Sequence, residues 1–401
     1  MRKWLLLLVM LVLLLTACEG DFDDEEDFFE EEPVSGELSD AGDEELLEVE
    51  ADDGSGSADY LADYAAYIEE IVERDNIAGV AIAVIEGDEI VLVQGFGYRD
   101  LENGLPVTAD TLFHIGSTNK SFTAMLVATL VDEGLITWDT PIVDVYPDFP
   151  LSDEITFRHL LSMRSGIADE AEDDFDVDNS TAEDVLDFLN DIDLFAEPGE
   201  EFSYSNISSA TAGYAAVLAA DADNNGLYDG YIDLLQQRIL DPIGMETAVA
   251  RVSEAEQNPN YGKSYVLGSD GQPEEAEPED YDGDPLAPSG TLKASAAEMA
   301  LYISTYLNQG VAPNGTRVVS AENMAVMVEP YLEDYALGWE NKSYEDIQVI
   351  SHEGSFDNYL SIIGFSPDEE LGFVILANTA DAAETLIEEA PQMLFDLYWG
   401  E

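Results

Sequence analysis

A serine three residues ahead of a lysine, in His114-Ile115-Gly116-Ser117-Thr118-Asn119-Lys120-Ser121-Phe122-Thr123-Ala124, is the part of this chain best suited to covalent chemistry. On a helix, residues three apart share a face, so Ser117 would present its hydroxyl beside the ammonium of Lys120. A serine hydroxyl is a weak nucleophile at neutral pH and needs a neighbouring base or cation to lose its proton. Lys120 can supply a positive charge, or act as the base if desolvation lowers its pKa. The apolar residues that follow at once argue against a surface lysine. Ser-x-x-Lys also arises by chance, and serine is a common helix N-cap, so the motif takes its weight from the rest of the chain.

Two further groups follow. Phe202-Ser203-Tyr204-Ser205-Asn206 comes just after the turn signal Pro198-Gly199. Tyr204 is read as the general-base partner. A phenol is not ionised at neutral pH unless cations lower its pKa, but a positioned phenol can relay protons while neutral. Asn206 is expected to hydrogen-bond Lys120 or a substrate amide oxygen. Ser351-His352-Glu353-Gly354-Ser355 lies near the C-terminus, beside an apolar run that reads as strand.

In this order the three groups resemble the serine beta-lactamase and penicillin-binding protein family. The tyrosine in the second motif points to the branch of class C beta-lactamases and their esterase and D-peptidase relatives. The likeness extends over residues 60–398. It includes Gly97-Tyr98-Arg99-Asp100-Leu101-Glu102-Asn103-Gly104, Leu160-Leu161-Ser162-Met163-Arg164-Ser165-Gly166, Pro288-Ser289-Gly290-Thr291-Leu292 and Leu337-Gly338-Trp339. The resemblance implies that His352 stands where beta-lactamases carry a lysine that helps bind the substrate carboxylate. A histidine there is mostly neutral at pH 7, which disfavours beta-lactams and favours esters or small peptides. It also implies that Gly354 lets the substrate backbone approach. The N–H groups of Ser117 and Ser355 would then form an oxyanion hole.

Other chemistries have less support. His114 and His159 fall in segments that read as structural. The chain's three histidines make no zinc signature, and there is no Gly-x-Ser-x-Gly. Asp221, Asp223, Asn225 and Asp229 copy the first nine positions of an EF-hand-like calcium loop, but position twelve is Ile232. Calcium is therefore a secondary expectation, and no cofactor is required for the serine chemistry.

The chain carries 88 acidic and 13 basic residues in 401, a formal charge of −75. Such a surface repels nucleic acid and anionic lipid and maintains solubility, as suits a saline habitat. Residues 1–17 read as a lipoprotein signal: Arg2 and Lys3, an apolar run too short for a comfortable membrane span, then Leu15-Thr16-Ala17-Cys18. Cys18, the single cysteine, is the expected lipidation site. Residues 18–57, acidic and ending in Gly54-Ser55-Gly56-Ser57, read as a disordered tether. The catalytic domain is assigned to residues 58–401.

Within that domain, helices are expected at 60–74 and 382–398. Strands are expected at 79–85, 90–97, 347–351, 359–365 and 372–377, with a mostly helical middle from 111 to 335. A sheet built from both chain ends, with a helical region inserted, is an α+β architecture. It agrees with the fold the resemblance implies, an antiparallel sheet flanked by helices beside a helical subdomain. The expected protein is a lipid-anchored, extracytoplasmic serine hydrolase. It would work through an acyl-enzyme on small ester, amide or D-amino-acid peptide substrates, meeting the membrane through its lipid alone. The alternatives are a class C-like beta-lactamase and a penicillin-binding or sensor protein that turns over poorly.

Overall fold

The computed structural model describes residues 57–276, 284–344 and 347–400. Cys18, the signal expected at 1–17 and all but the last residue of the tether expected at 18–57 lie outside the described residues. Among the described residues no helix is long and apolar enough to cross a membrane.

Seven strands form one antiparallel sheet: β1 Gly79–Glu86, β2 Glu89–Asp100, β3 Leu105–Pro106, β4 Glu340–Tyr344, β5 Ile347–Phe356, β6 Tyr359–Ser366 and β7 Leu371–Ala377. Their order is β3-β2-β1-β7-β6-β5-β4, so the two ends of the chain meet where β1 pairs with β7. The central strands are apolar on both sides because both sheet faces are covered. Side chains alternate between two cores, as a pleated strand requires. Val80, Ile82 and Val84 of β1, with Phe373 and Ile375 of β7, face helices α1 (Ser57–Asp75) and α5 (Ala380–Trp399). Ala81, Ala83, Ile85, Val374 and Leu376 face the inserted helical region.

That region is built on α2 (Asn119–Asp132), which is buried on every side from Asn119 to Leu130. It packs against α3 (Asn206–Ala219), and its Phe122 stacks on Tyr302 of α4 (Ala296–Leu307). The α+β expectation is met. The short edge strands β3 and β4 were not expected. β3 is two residues long, and β4 carries polar residues that its edge position leaves partly exposed. Strand β5 also runs on through His352, Glu353, Gly354 and Ser355, instead of ending at Ser351.

That extension matters for the site. The register of β4 with β5 ends at Glu340 opposite Ser351. Residues 352–356 of β5 continue beyond it, paired only with β6 on the other side. They lie against the turn Gly116–Thr118 that leads into α2.

Candidate active site

Ser117 sits in the 3-10 turn Gly116–Thr118, and Lys120 lies in the first turn of α2. Between residues 111 and 130, Ser117 is the one residue that is not buried. Its hydroxyl is not spent on capping, since the N-cap of α2 is Thr118, which makes no side-chain cap. Instead Ser117 Oγ accepts a hydrogen bond from Lys120 Nζ at 2.9 Å.

Lys120 is 1% exposed. Its Nζ also donates to Asn206 Oδ1 at 2.6 Å and to the Ser289 carbonyl at 3.0 Å. Burial pulls its pKa down to about 7, and the charge of Glu172 opposes that fall. Burial disfavours an ammonium, so a substantial neutral fraction exists at neutral pH. The Ser289 carbonyl is held by the segment Ala287–Gly290, whose Ala287 and Pro288 carbonyls accept from Asn119 Nδ2.

Tyr204 enters from the loop before α3, whose N-cap Ser205 accepts from Ser208 N. Lys120 Nζ lies 4.7 Å from the centroid of its ring. A hydrogen bond to Ser117 lowers the Tyr204 pKa, but burial outweighs it and moves the phenol well above its ordinary value. Tyr204 is therefore a neutral phenol in the resting site, suited to relaying a proton, while Lys120 is the more available base.

Asn206 is committed on both sides. Oδ1 accepts from Lys120, and Nδ2 donates to the Glu172 carboxylate at 2.8 and 3.2 Å. It orients Lys120, and because both Nδ2 contacts go to one carboxylate they engage a single N–H and leave the second as a donor. Glu172 was not legible as a site residue: it sits in the acidic turn Asp169–Asp174, where nothing in its spacing distinguishes it from its neighbours. Burial raises its pKa, with Asp169 and Asp284 adding to the rise, while Asn206 and Lys120 counter it.

His352 is 2% exposed, and its ring centroid lies 6.2 Å from that of Tyr204. Its Nδ1 is bonded to the Glu353 carbonyl and must be the donor there. Nε2 is then the acceptor for the Tyr335 hydroxyl at 3.0 Å. Burial, with Lys120 nearby, pushes its pKa down to about 3, so the ring is neutral. A neutral ring with both nitrogens engaged supports Tyr204 and offers nothing to a carboxylate. Glu353 points outward, as strand alternation requires, and pairs with Lys342 at 2.7 Å.

A Cβ on Gly354 would lie 2.1 Å from the Ile115 carbonyl oxygen, 2.6 Å from Ser361 Oγ and 3.0 Å from Ser117 N. The glycine admits the chain's own nucleophile turn. A Cβ on Gly116, which has φ +52°, would reciprocally lie 2.6 Å from Ser355 N. This contact sets the backbone of Gly116 against that of Ser355, and Ser117 and Ser355 line one cavity.

The calcium residues are not brought together. A helix begins at Leu227, at position seven of the proposed loop, and Asp229 within it pairs with Arg251. Among the described residues no three acidic, histidine or cysteine side chains are grouped to hold a metal ion. His114 and His159 are structural, as expected: His114 stacks on Phe356 at 4.6 Å, and His159 closes the capping box of the helix Phe157–Leu161.

A cleft with a lysine-paired serine, between the sheet and a mostly helical region, defines a serine hydrolase of the transpeptidase-like class. The profile of the Beta-lactamase family matches residues 64–397, and the chain belongs to that family. Unguisins hydrolase ungD of Aspergillus violaceofuscus is 28% identical over 357 residues, covering 79% of this chain and 61% of that protein. The chain thus spans about three fifths of the length of the curated relatives it matches. The octameric penicillin-binding protein homologue from Pyrococcus abyssi superposes with a TM-score of 0.72 at 25% identity, over 85% of this chain and 78% of that one. D-amino acid amidase from Ochrobactrum anthropi, solved with L-phenylalanine amide, has a TM-score of 0.68 at 20% identity, over 84% and 99%, a likeness of fold.

Proposed function

We propose that Ser117 is the nucleophile of an acyl-enzyme mechanism that hydrolyses carboxylic esters or D-amino-acid-containing amides and peptides. The observation that carries this is the pairing of the one solvent-reaching residue of a buried segment with a buried lysine 2.9 Å away whose pKa is about 7. Ser117 Oγ attacks the substrate carbonyl and passes its proton to neutral Lys120. The oxygen's developing charge is met by the Ser117 and Ser355 N–H groups. Tyr204, bonded to Ser117, relays a proton to the departing alkoxide or amine. Water then attacks the acyl-enzyme, giving one proton back to Ser117 and releasing the acid.

An ester or amide preference over beta-lactams is supported by the neutral, engaged His352, which leaves no cation there for a substrate carboxylate. One relative is named a hydrolase, and one neighbour in fold is named a D-amino acid amidase. In the same reading Cys18 carries a lipid that anchors the enzyme outside the cytoplasm. The test is a panel of p-nitrophenyl butyrate, D-alanyl p-nitroanilide and nitrocefin at fixed salt. Higher kcat/KM for the ester or the D-amide is expected. A clear preference for nitrocefin would replace this reading with that of a beta-lactamase.

A further inference from the structure

Arg164 is buried, 1% exposed, between two loops whose aromatic residues meet. The first loop, residues 199–205, carries Tyr204. It is tied to the backbone at Arg164: Gly199 N donates to the Arg164 carbonyl at 2.8 Å, and Ser203 N to the Met163 carbonyl at 2.9 Å. The second loop, residues 331–335, is a tight turn in which Tyr331 N donates to the Tyr335 carbonyl. Glu333 in this turn has φ +58°, a conformation that persists only where its surroundings hold it. The hold comes from the arginine side chain, whose Nη2 donates to the Leu332 carbonyl at 2.7 Å. The guanidinium also lies over the ring of Phe202, with Cζ 5.6 Å from the centroid.

The loops touch through their rings. Tyr335 packs edge-on against Tyr204, with centroids 6.3 Å apart, and beside Phe202 at 5.5 Å. Its hydroxyl donates to His352 Nε2 and so fastens the ring to β5. The surroundings of the Tyr204 phenol thus include a ring whose place depends on a turn that Arg164 holds.

Stability is a poor reason for this arginine. Its ionic partner Glu333 is 3.4 Å away and has a side chain 75% exposed. Its Nε has no hydrogen-bond partner among the described residues. A buried charge so weakly compensated costs desolvation that an apolar side chain of similar size would avoid. What arginine adds is a rigid donor that reaches from one loop to the other.

We propose that Arg164 is a positioning residue for Tyr204: by holding Leu332 it sets Tyr335, and Tyr335 sets the phenol that gives a proton to the leaving group. The inference rests on the acyl-enzyme reading and adds to it a residue that does not line the cavity over Ser117.

A proton donor matters most when the leaving group is basic, because an alkoxide needs the proton to depart and p-nitrophenolate does not. The test compares kcat/KM for ethyl butyrate and p-nitrophenyl butyrate, which share an acyl group, in Arg164→Met, with Tyr204→Phe as the reference. Methionine fills the space without a charge, and Leu332 is exposed, so water can take over the carbonyl's bond. Circular dichroism should therefore show the variant folded. A general acid supplies about 10²–10⁴-fold, and a displaced one loses part of that: the ethyl ester should fall on the order of tenfold and the p-nitrophenyl ester less than about twofold. The ratio of the two is the readout, since a loss of folded protein lowers both alike. Arg164→Lys can still donate to Leu332 but lacks the planar fork, and should lose only about threefold in that ratio. Tyr335→Phe keeps the ring and removes its bond to His352, and should also lose about threefold. Equal losses for both esters in the Arg164 and Tyr335 variants, or no loss, would overturn the inference and leave the hydrolase reading standing. A selective loss at only one of the two positions would overturn the route that joins them. If Tyr204→Phe itself lowers both esters equally, the relay assigned to Tyr204 falls instead.

Discussion

Replacing Glu172 with glutamine should move the pH dependence of catalysis to lower pH. Glu172 reaches Lys120 through Asn206, by hydrogen bonds of 2.8 and 2.6 Å on either side of one carboxamide. The carboxylate is therefore roughly 7 Å from the ammonium, counting the width of the amide. At an effective dielectric of about 20, unit charges at that distance interact by about 2.4 kcal/mol, an upper bound because the cavity admits water. Half of that corresponds to about one pK unit. Removing the negative charge disfavours the ammonium, so the Lys120 pKa should fall from about 7 to roughly 6. Glutamine can still accept from Asn206 Nδ2, so the geometry is retained. The assay is kcat/KM against pH with a neutral ester, whose own charge does not change. If neutral Lys120 accepts the serine proton, activity rises with pH through its pKa. The acid limb of the variant should then lie about one unit lower, and at pH 6 the variant should reach about five times its wild-type share of maximal activity. An acid limb that stays in place, or moves upward, would refute the role of neutral Lys120 as base.

Other perturbations should behave as follows. Gly354→Ala drives a methyl into the Ile115 carbonyl and Ser361 Oγ; calorimetry should find a loss of about 2 kcal/mol or more, accompanied by loss of turnover. His352→Lys would bury a second amine near Lys120, and because the position is buried, steady-state kinetics should find no gain toward carboxylate-bearing beta-lactams. Cys18→Ser should leave an uncleaved precursor or release the protein from membranes, read by detergent partitioning of the expressed chain.

The sequence exposes the parts of the site whose residue types are rare in this chain and withholds those whose types are common. Lys120 is one of four lysines beyond residue 57, and its place three after Ser117 on an apolar segment is readable. The sheet is readable because strands such as Gly79–Glu86 and Leu371–Ala377 are continuous apolar runs bounded by turns. Glu172 is hidden among 88 acidic residues, and only the fold distinguishes it, by setting it against Asn206. Tyr335 is likewise one tyrosine among 19 until β5 carries His352 to its hydroxyl. Gly354 was noticed, but its contact with Ile115 was not, since that close approach joins segments more than two hundred positions apart. Within the EF-hand-like spacing at 221–229 a helix begins at Leu227, a local preference that the acidic spacing alone does not display.

The central claim, that Ser117 forms the covalent intermediate, is tested most directly by labelling the protein with a fluorophosphonate probe and locating the adduct by peptide mass spectrometry. The account predicts a single adduct on Ser117. The label should be lost in Ser117→Ala, while circular dichroism shows the variant folded. An adduct on another residue, or labelling that persists in Ser117→Ala, would contradict it.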